Sequence, residues 1–90
     1  MINISEAALS VLSESLQASG VERGLGLRLK EENQRLTLYL SKPEKGDRII
    51  SRDGQSVLII DPGFETFIGD AFIDVEDTGE GSEIIMRSNK

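Results

Sequence analysis

The side chains best suited to chemistry are missing from this chain of 90 residues, which has no cysteine and no histidine. Thiolate and imidazole are the ligands soft metals favour, and histidine is the usual general base. Any reactive site would therefore have to be built from serine, lysine and carboxylate. Ser5, Ser10, Ser13, Ser15 and Ser19 lie on or beside one helical stretch. Capping and solvated-face roles account for all five, and none sits in a nucleophile elbow. Asp70, Asp74, Glu76, Asp77, Glu80 and Glu83 crowd one segment, where hard cations could find oxygen ligands. Their spacing matches no EF-hand loop. Asp74 and Glu76, two apart on a strand and so on one face, read as a solvated outer surface rather than a metal site.

The glycine pairs Gly24-Leu25-Gly26 and Gly79-Glu80-Gly81 form neither a dinucleotide fingerprint nor a P-loop. Turn and strand-entry duties explain them. Arg28, with Lys30 close by, could meet an anion on the polar face of its strand, but reads first as an exposed cation on a hairpin. Phe64, Phe67 and Phe72 read as core, because aromatics near strands usually supply buried area. No catalytic, cofactor-binding or metal-ligating set assembles, and the sequence reads as that of a non-enzyme.

The totals narrow the field further. Sixteen acidic residues against ten basic give a net charge of −6, which repels phosphate backbones and anionic membranes, so neither nucleic acid nor a membrane is an expected partner. The opening Met1-Ile2-Asn3-Ile4-Ser5-Glu6 has no basic or apolar leader character, no apolar run is long enough to cross a bilayer, and a cysteine-free chain fits a cytoplasmic home. With 38% hydrophobic and 29% charged residues the balance is that of one folded domain spanning 1–90.

The elements that would position these groups are legible from periodicity. From Ser5 to Ser19, Ala8, Leu9, Leu12 and Leu16 fall at helical spacing. Ser5 is placed as N-cap, Ile4 and Leu9 as a hydrophobic staple, and Gly20 as the left-handed stop. After Gly24 the period becomes two. Leu25, Leu27 and Leu29 alternate with Gly26, Arg28 and Lys30, and Glu31-Glu32-Asn33-Gln34 turns the chain into Leu36, Leu38 and Leu40. This predicts a hairpin whose leucines share a face. Lys42 to Asp47 reads as a surface loop. Arg48–Arg52 and Gln55–Ile60 flank Asp53-Gly54, a dipeptide suited to a two-residue turn in which both residues take positive φ. Asp61-Pro62 opens a short helix over Phe64, Phe67 and Ile68, ending at Gly69. Ala71–Glu76 and Glu83–Arg87 read as two last strands joined by a flexible Asp77–Ser82, with Ser88-Asn89-Lys90 as a frayed end. A helix, some six strands and a short second helix make an α+β domain. Its expected core includes Leu9, Leu12, Leu16, Leu27, Leu38, Ile59, Phe67 and Ile73.

The order of these segments carries a resemblance. Ile2-Asn3-Ile4-Ser5-Glu6-Ala7-Ala8 precedes the amphipathic helix. Gly26-Leu27-Arg28-Leu29, Gly46-Asp47, Val57-Leu58-Ile59-Ile60-Asp61-Pro62 and Phe72-Ile73-Asp74-Val75-Glu76 follow in turn. Over nearly its whole length the chain resembles the HesB-like family of A-type iron–sulfur cluster biosynthesis proteins. The resemblance implies a HesB-like fold, mainly antiparallel strands in a small sandwich or distorted barrel with the first helix covering one side. Family members carry one cysteine in a glycine-rich loop after the first strand and a Cys-Gly-Cys pair near the C-terminus, which together ligate a cluster or iron between subunits. Here the loop is cut to Glu31-Glu32-Asn33-Gln34 and the sequence to Lys90 holds no such pair, so no family ligand transfers to any position. The expectation is a degenerate, non-enzymatic relative without cofactor, acting through contacts with iron–sulfur assembly proteins and able to form a homodimer. The alternative is a small-molecule or protein-binding module on the same scaffold.

Overall fold

The computed structural model describes residues 1–32 and 35–88. Strand β1 (Ile2–Ile4) leads into helix α1 (Glu6–Ala18). Strands β2 (Gly26–Glu32), β3 (Arg35–Ser41), β4 (Arg48–Arg52) and β5 (Gln55–Ile60) follow. Helix α2 (Pro62–Ile68) and strands β6 (Ala71–Thr78) and β7 (Gly81–Ser88) complete the chain. The strands form two mixed sheets, ordered β1-β6-β7 and β3-β2-β5-β4, and the barrel does not close.

The ends of α1 are set by its sequence. Ser5 Oγ accepts from the Ala8 amide at 3.0 Å, Ile4 and Leu9 pack against the core from either side of the cap, and Gly20 takes φ +68° beyond the last turn. Helix α1, with its buried stripe Ala8, Leu12, Ser13 and Leu16, contacts β5 in one sheet and β6 in the other and so helps to join the two sheets. Central β5 is buried from Val57 to Ile60, all four at 0% exposure, which is why its sequence is a continuous apolar run rather than an alternation.

Two pairings are parallel, β1 with β6 and β2 with β5. β1 was not expected from sequence, since three residues carry too little periodicity to be read as a strand; the Ile2↔Ala71 to Ile4↔Ile73 register supplies what local pattern cannot. The β4–β5 hairpin turns on Asp53 (φ 53°) and Gly54 (φ 79°), as the dipeptide predicts. The β2–β3 hairpin also forms, with Leu27 opposite Leu40 and Leu29 opposite Leu38 on one face. Its strands reach further than expected: Glu31 and Glu32 belong to β2, and the middle of the expected turn, Asn33-Gln34, lies outside the described residues. Likewise Asp77, Thr78, Gly81 and Ser82 are strand rather than flexible loop, leaving Gly79-Glu80 as the turn, and Ser88 ends β7 instead of fraying.

Of the expected core, Leu12, Leu16, Ile59 and Ile73 are buried, and Leu9, Leu27 and Leu38 are half-buried against it. Phe67 corrects the reading: it is 73% exposed, because α2 offers Phe64 and Ile68 to the core on one side and turns Phe67 to the other. Phe72 is also exposed, on the outer face of β6.

Candidate functional site

Arg28 is not the exposed cation its strand pattern suggests. It is 8% exposed, and its guanidinium forms a fork with the Asp47 carboxylate, Nη2 to Oδ2 at 2.7 Å and Nη1 to Oδ1 at 3.2 Å. Nε donates to Ser41 Oγ at 3.1 Å and Nη2 also to the Lys42 carbonyl. Asp47 in turn accepts from the Glu44 amide at 2.7 Å. The Arg28 hydrogen bond holds the Asp47 carboxyl below its ordinary pKa, and Asp47 holds the guanidinium above its own. The alternation rule failed because the polar face of β2 is covered by the 42–47 loop. The partner lies 19 residues away and left no local signal.

β2 and β5 approach closely beside this pair. A Cβ on Gly26 would stand 3.2 Å from the Ser56 carbonyl and 3.3 Å from Ile59 side-chain carbons. Gly26 is therefore a packing glycine, a role beyond the strand-entry duty expected of it.

Above Arg28 an open cleft of about 620 Å³ lies between the β2–β3 hairpin and α2. Tyr39, Phe64 and Phe67 supply aromatic surface, and Lys30, Glu31, Glu44 and Asp61 ring it with charge of both signs. Such a wide, mixed cleft suits a protein surface better than an enclosed small-molecule site, which is concave and mostly apolar. Sequence places Asp61, Phe64 and Phe67 together on α2 but does not bring them to Lys30, Glu31, Tyr39 and Glu44, because the cleft draws on four separate segments.

The remaining candidates serve structure. Ser5 Oγ donates to Asp74 Oδ1 at 2.8 Å, and the same oxygen accepts from the Val75 amide, so the hydroxyl caps α1 while tying it to β6. The Ser5 hydrogen bond, then the Val75 amide, lower the Asp74 pKa. Asp74 is thus not a free ligand alongside Glu76. Glu65 Oε2 accepts from Arg48 Nη2 at 2.7 Å and from the Ile2 amide at 2.9 Å, and Arg48 most strongly lowers its pKa. Arg48 also donates to the Ile2 carbonyl, completing a link between α2, β4 and β1. Gln55 Nε2 donates to the Leu25 and Glu22 carbonyls and pins the α1–β2 connection to β5. Ser13 is buried in the α1 stripe, and Ser10 lies on the helix flank. Among the described residues no three carboxylates converge on a point where a metal ion would fit. The lowered pKa values of Asp47, Glu65 and Asp74 favour their ionised forms, the opposite of what a general acid needs at neutral pH.

With the geometry established, the chain can be compared with known proteins. No family model and no curated protein matches its sequence. Solved structures do match in fold. Escherichia coli SufA, described as involved in biosynthesis of iron–sulfur clusters, superposes at a TM-score of 0.70 with 20% identity, covering 97% of this chain and 84% of SufA. A structure of IscA with a [2Fe-2S] cluster gives 0.64 at 20% identity, covering 99% and 86%. A protein from Aquifex aeolicus solved by NMR gives 0.60 at 19%, covering 93% and 87%. The fold is that of the A-type, HesB-like carriers, in agreement with the order of segments in the sequence.

Proposed function

We propose that this chain is a non-enzymatic relative of the iron–sulfur cluster carriers that works through protein contacts and does not itself ligate a cluster. The observation that carries this reading is a carrier fold spanning nearly the whole chain in which no residue is a thiol or an imidazole. Cluster iron is held by thiolate, with histidine as the occasional substitute. Among the described residues the carboxylates that remain do not fit the group, because no three of them converge on one point. Asp47, Glu65 and Asp74 already accept two or more hydrogen bonds each within the fold. The cleft flanked by Tyr39 and Phe67 supports the contact role, since exposed aromatics in a charged rim are what protein interfaces use. Cluster-assembly proteins in the cytoplasm are the partners this reading names.

The test is anaerobic reconstitution with iron and sulfide, followed by desalting, metal determination and a visible spectrum. Metal-free, colourless protein that binds a purified assembly protein by calorimetry, and binds it more weakly as Phe67→Ser, is the expected result. Stoichiometric iron with a charge-transfer band would overturn the non-ligating half. Full-strength binding of Phe67→Ser would remove the cleft from the reading.

A further inference from the structure

The cleft above Arg28 has a neutral floor and a charged rim. On the floor the Arg28 guanidinium is matched by Asp47, in a pair whose side chains are 10% and 3% exposed. On the rim the carboxylates of Glu31, Glu44 and Asp61 stand with one ammonium, that of Lys30, on a chain whose net charge is already −6. The Glu44 charge reaches the floor as well. The Arg28 pKa, raised chiefly by the Asp47 hydrogen bond, is raised further by Glu44. Asp61 occupies the N-cap of α2, where an aspartate ordinarily accepts from a backbone amide of the first turn. Its side chain makes no such bond and lines the cleft instead.

Aromatic faces lie among these charges. Tyr39 on β3 is 45% exposed, Phe67 on α2 is 73% exposed, and Phe64 is half-buried beside it. The face of an aromatic ring attracts a cation through its quadrupole, so rings and carboxylates here favour the same kind of group. Any protein laid over the cleft takes Glu31, Glu44 and Asp61 out of water. A neutral or acidic segment would leave them uncompensated, at a cost the contact area has to offset. A guanidinium meets both demands: it is planar, stacks on rings, donates in a fork to a carboxylate and is more weakly hydrated than an ammonium. Lys30 is exposed on a flexible stem, so its own charge can stay in water when the cleft is filled.

We propose that this cleft receives arginine side chains from a basic segment of a partner protein, with apolar residues beside the arginines. The guanidinium groups lie against the aromatic faces and donate to the rim carboxylates, while the flanking apolar residues cover Phe64 and Phe67. This rests on the reading of the cleft as a protein-contact surface and adds to it the chemistry of the partner. It does not depend on whether that partner is a cluster-assembly protein.

The cleft carries its own reporter, because Tyr39 is the sole tyrosine of a chain without tryptophan. Tyrosine emission of the full chain is followed while a short, end-blocked peptide of alanine, leucine and arginine is added. A saturable change is expected, weakened several-fold when lysine replaces the arginines and lost when glutamate does. Glu44→Gln and Asp61→Asn should each weaken binding by about two- to fivefold, and Lys30→Glu should tighten it by a similar factor. The double variant Glu76→Gln/Glu80→Gln removes as much charge as Glu44→Gln/Asp61→Asn, but from the β6–β7 hairpin of the other sheet, and should bind as the wild type does. Circular dichroism should show every variant folded. Absence of saturable binding overturns the proposal. So do equal affinity for the lysine or glutamate peptide, weaker binding by Lys30→Glu, or equal losses in the two double variants. If the arginine peptide fails while a purified assembly protein still binds and loses affinity as Phe67→Ser, the contact role of the cleft stands and this inference falls alone. If the peptide binds as expected and no assembly protein does, the inference stands and the earlier choice of partner falls.

Discussion

The β2–β5 region and the β6–β7 hairpin are built from similar residues and solve opposite problems. Around β2 the chain buries a charge and finishes the job internally: Arg28 and Asp47 are paired, hydrogen-bonded to Ser41, Lys42 and Glu44, and covered. At β7 the charges stay on the surface, with the like-charge pair Glu76 and Glu83 facing across the hairpin. Only the first region has a loop long enough to fold back over its strand. The 42–47 segment reaches Arg28, whereas Gly79-Glu80 is a two-residue turn that covers nothing. A polar strand face is thus made interior or left available by the length of the next connection, not by the strand's own pattern.

The comparison breaks most severely in the core. Leu58→Ala on β5, at 0% exposure, should cost about 2–5 kcal/mol of stability. Ile85→Ala on the outer face of β7 should cost well under half of that in the monomer. Urea unfolding of dilute protein measures both, and equal losses would mean that the hairpin is as integral as β5.

The buried pair gives the next effect. Asp47→Ala leaves Arg28 buried without its partner and should lower the melting temperature more than Glu83→Ala, but less than Leu58→Ala. The same pair sharpens the contrast through pH. Asp47, Glu65 and Asp74 have folded-state pKa values below their unfolded ones. The folded state therefore binds fewer protons than the unfolded one in the acid range. Their contribution is complete above the unfolded carboxylate pKa and is lost as pH falls through the lower folded values. Thermal melts from neutral to strongly acidic pH should show that loss, and Asp47→Asn should flatten it.

The smallest effect is on α2. Phe67→Ser, at 73% exposure, should change stability by no more than about 0.5 kcal/mol in thermal or urea melts. A larger loss would mean that Phe67 is packed rather than exposed.

How much of this could be read beforehand varies by residue. Helix α1 was legible down to its cap because Ser5, Leu9 and Gly20 act within a few residues of each other. The Asp53-Gly54 turn was legible because positive φ is a local demand. β1 was not, since three residues become a strand only when β6 arrives beside them. The cleft residues were not, since Lys30, Tyr39, Glu44 and Phe67 share no spacing.

Composition alone removed thiolate and imidazole chemistry, and alternation alone fixed which leucines of β2 and β3 face together. Those properties depend on residue identity and on neighbours in the chain. Only the tertiary structure decided that Arg28 is interior, that Phe67 and Phe72 are surface, and that Asp74 serves a helix cap rather than a cation. Each of those outcomes rests on what a distant segment lays over the residue, and that contact is absent from the sequence around it.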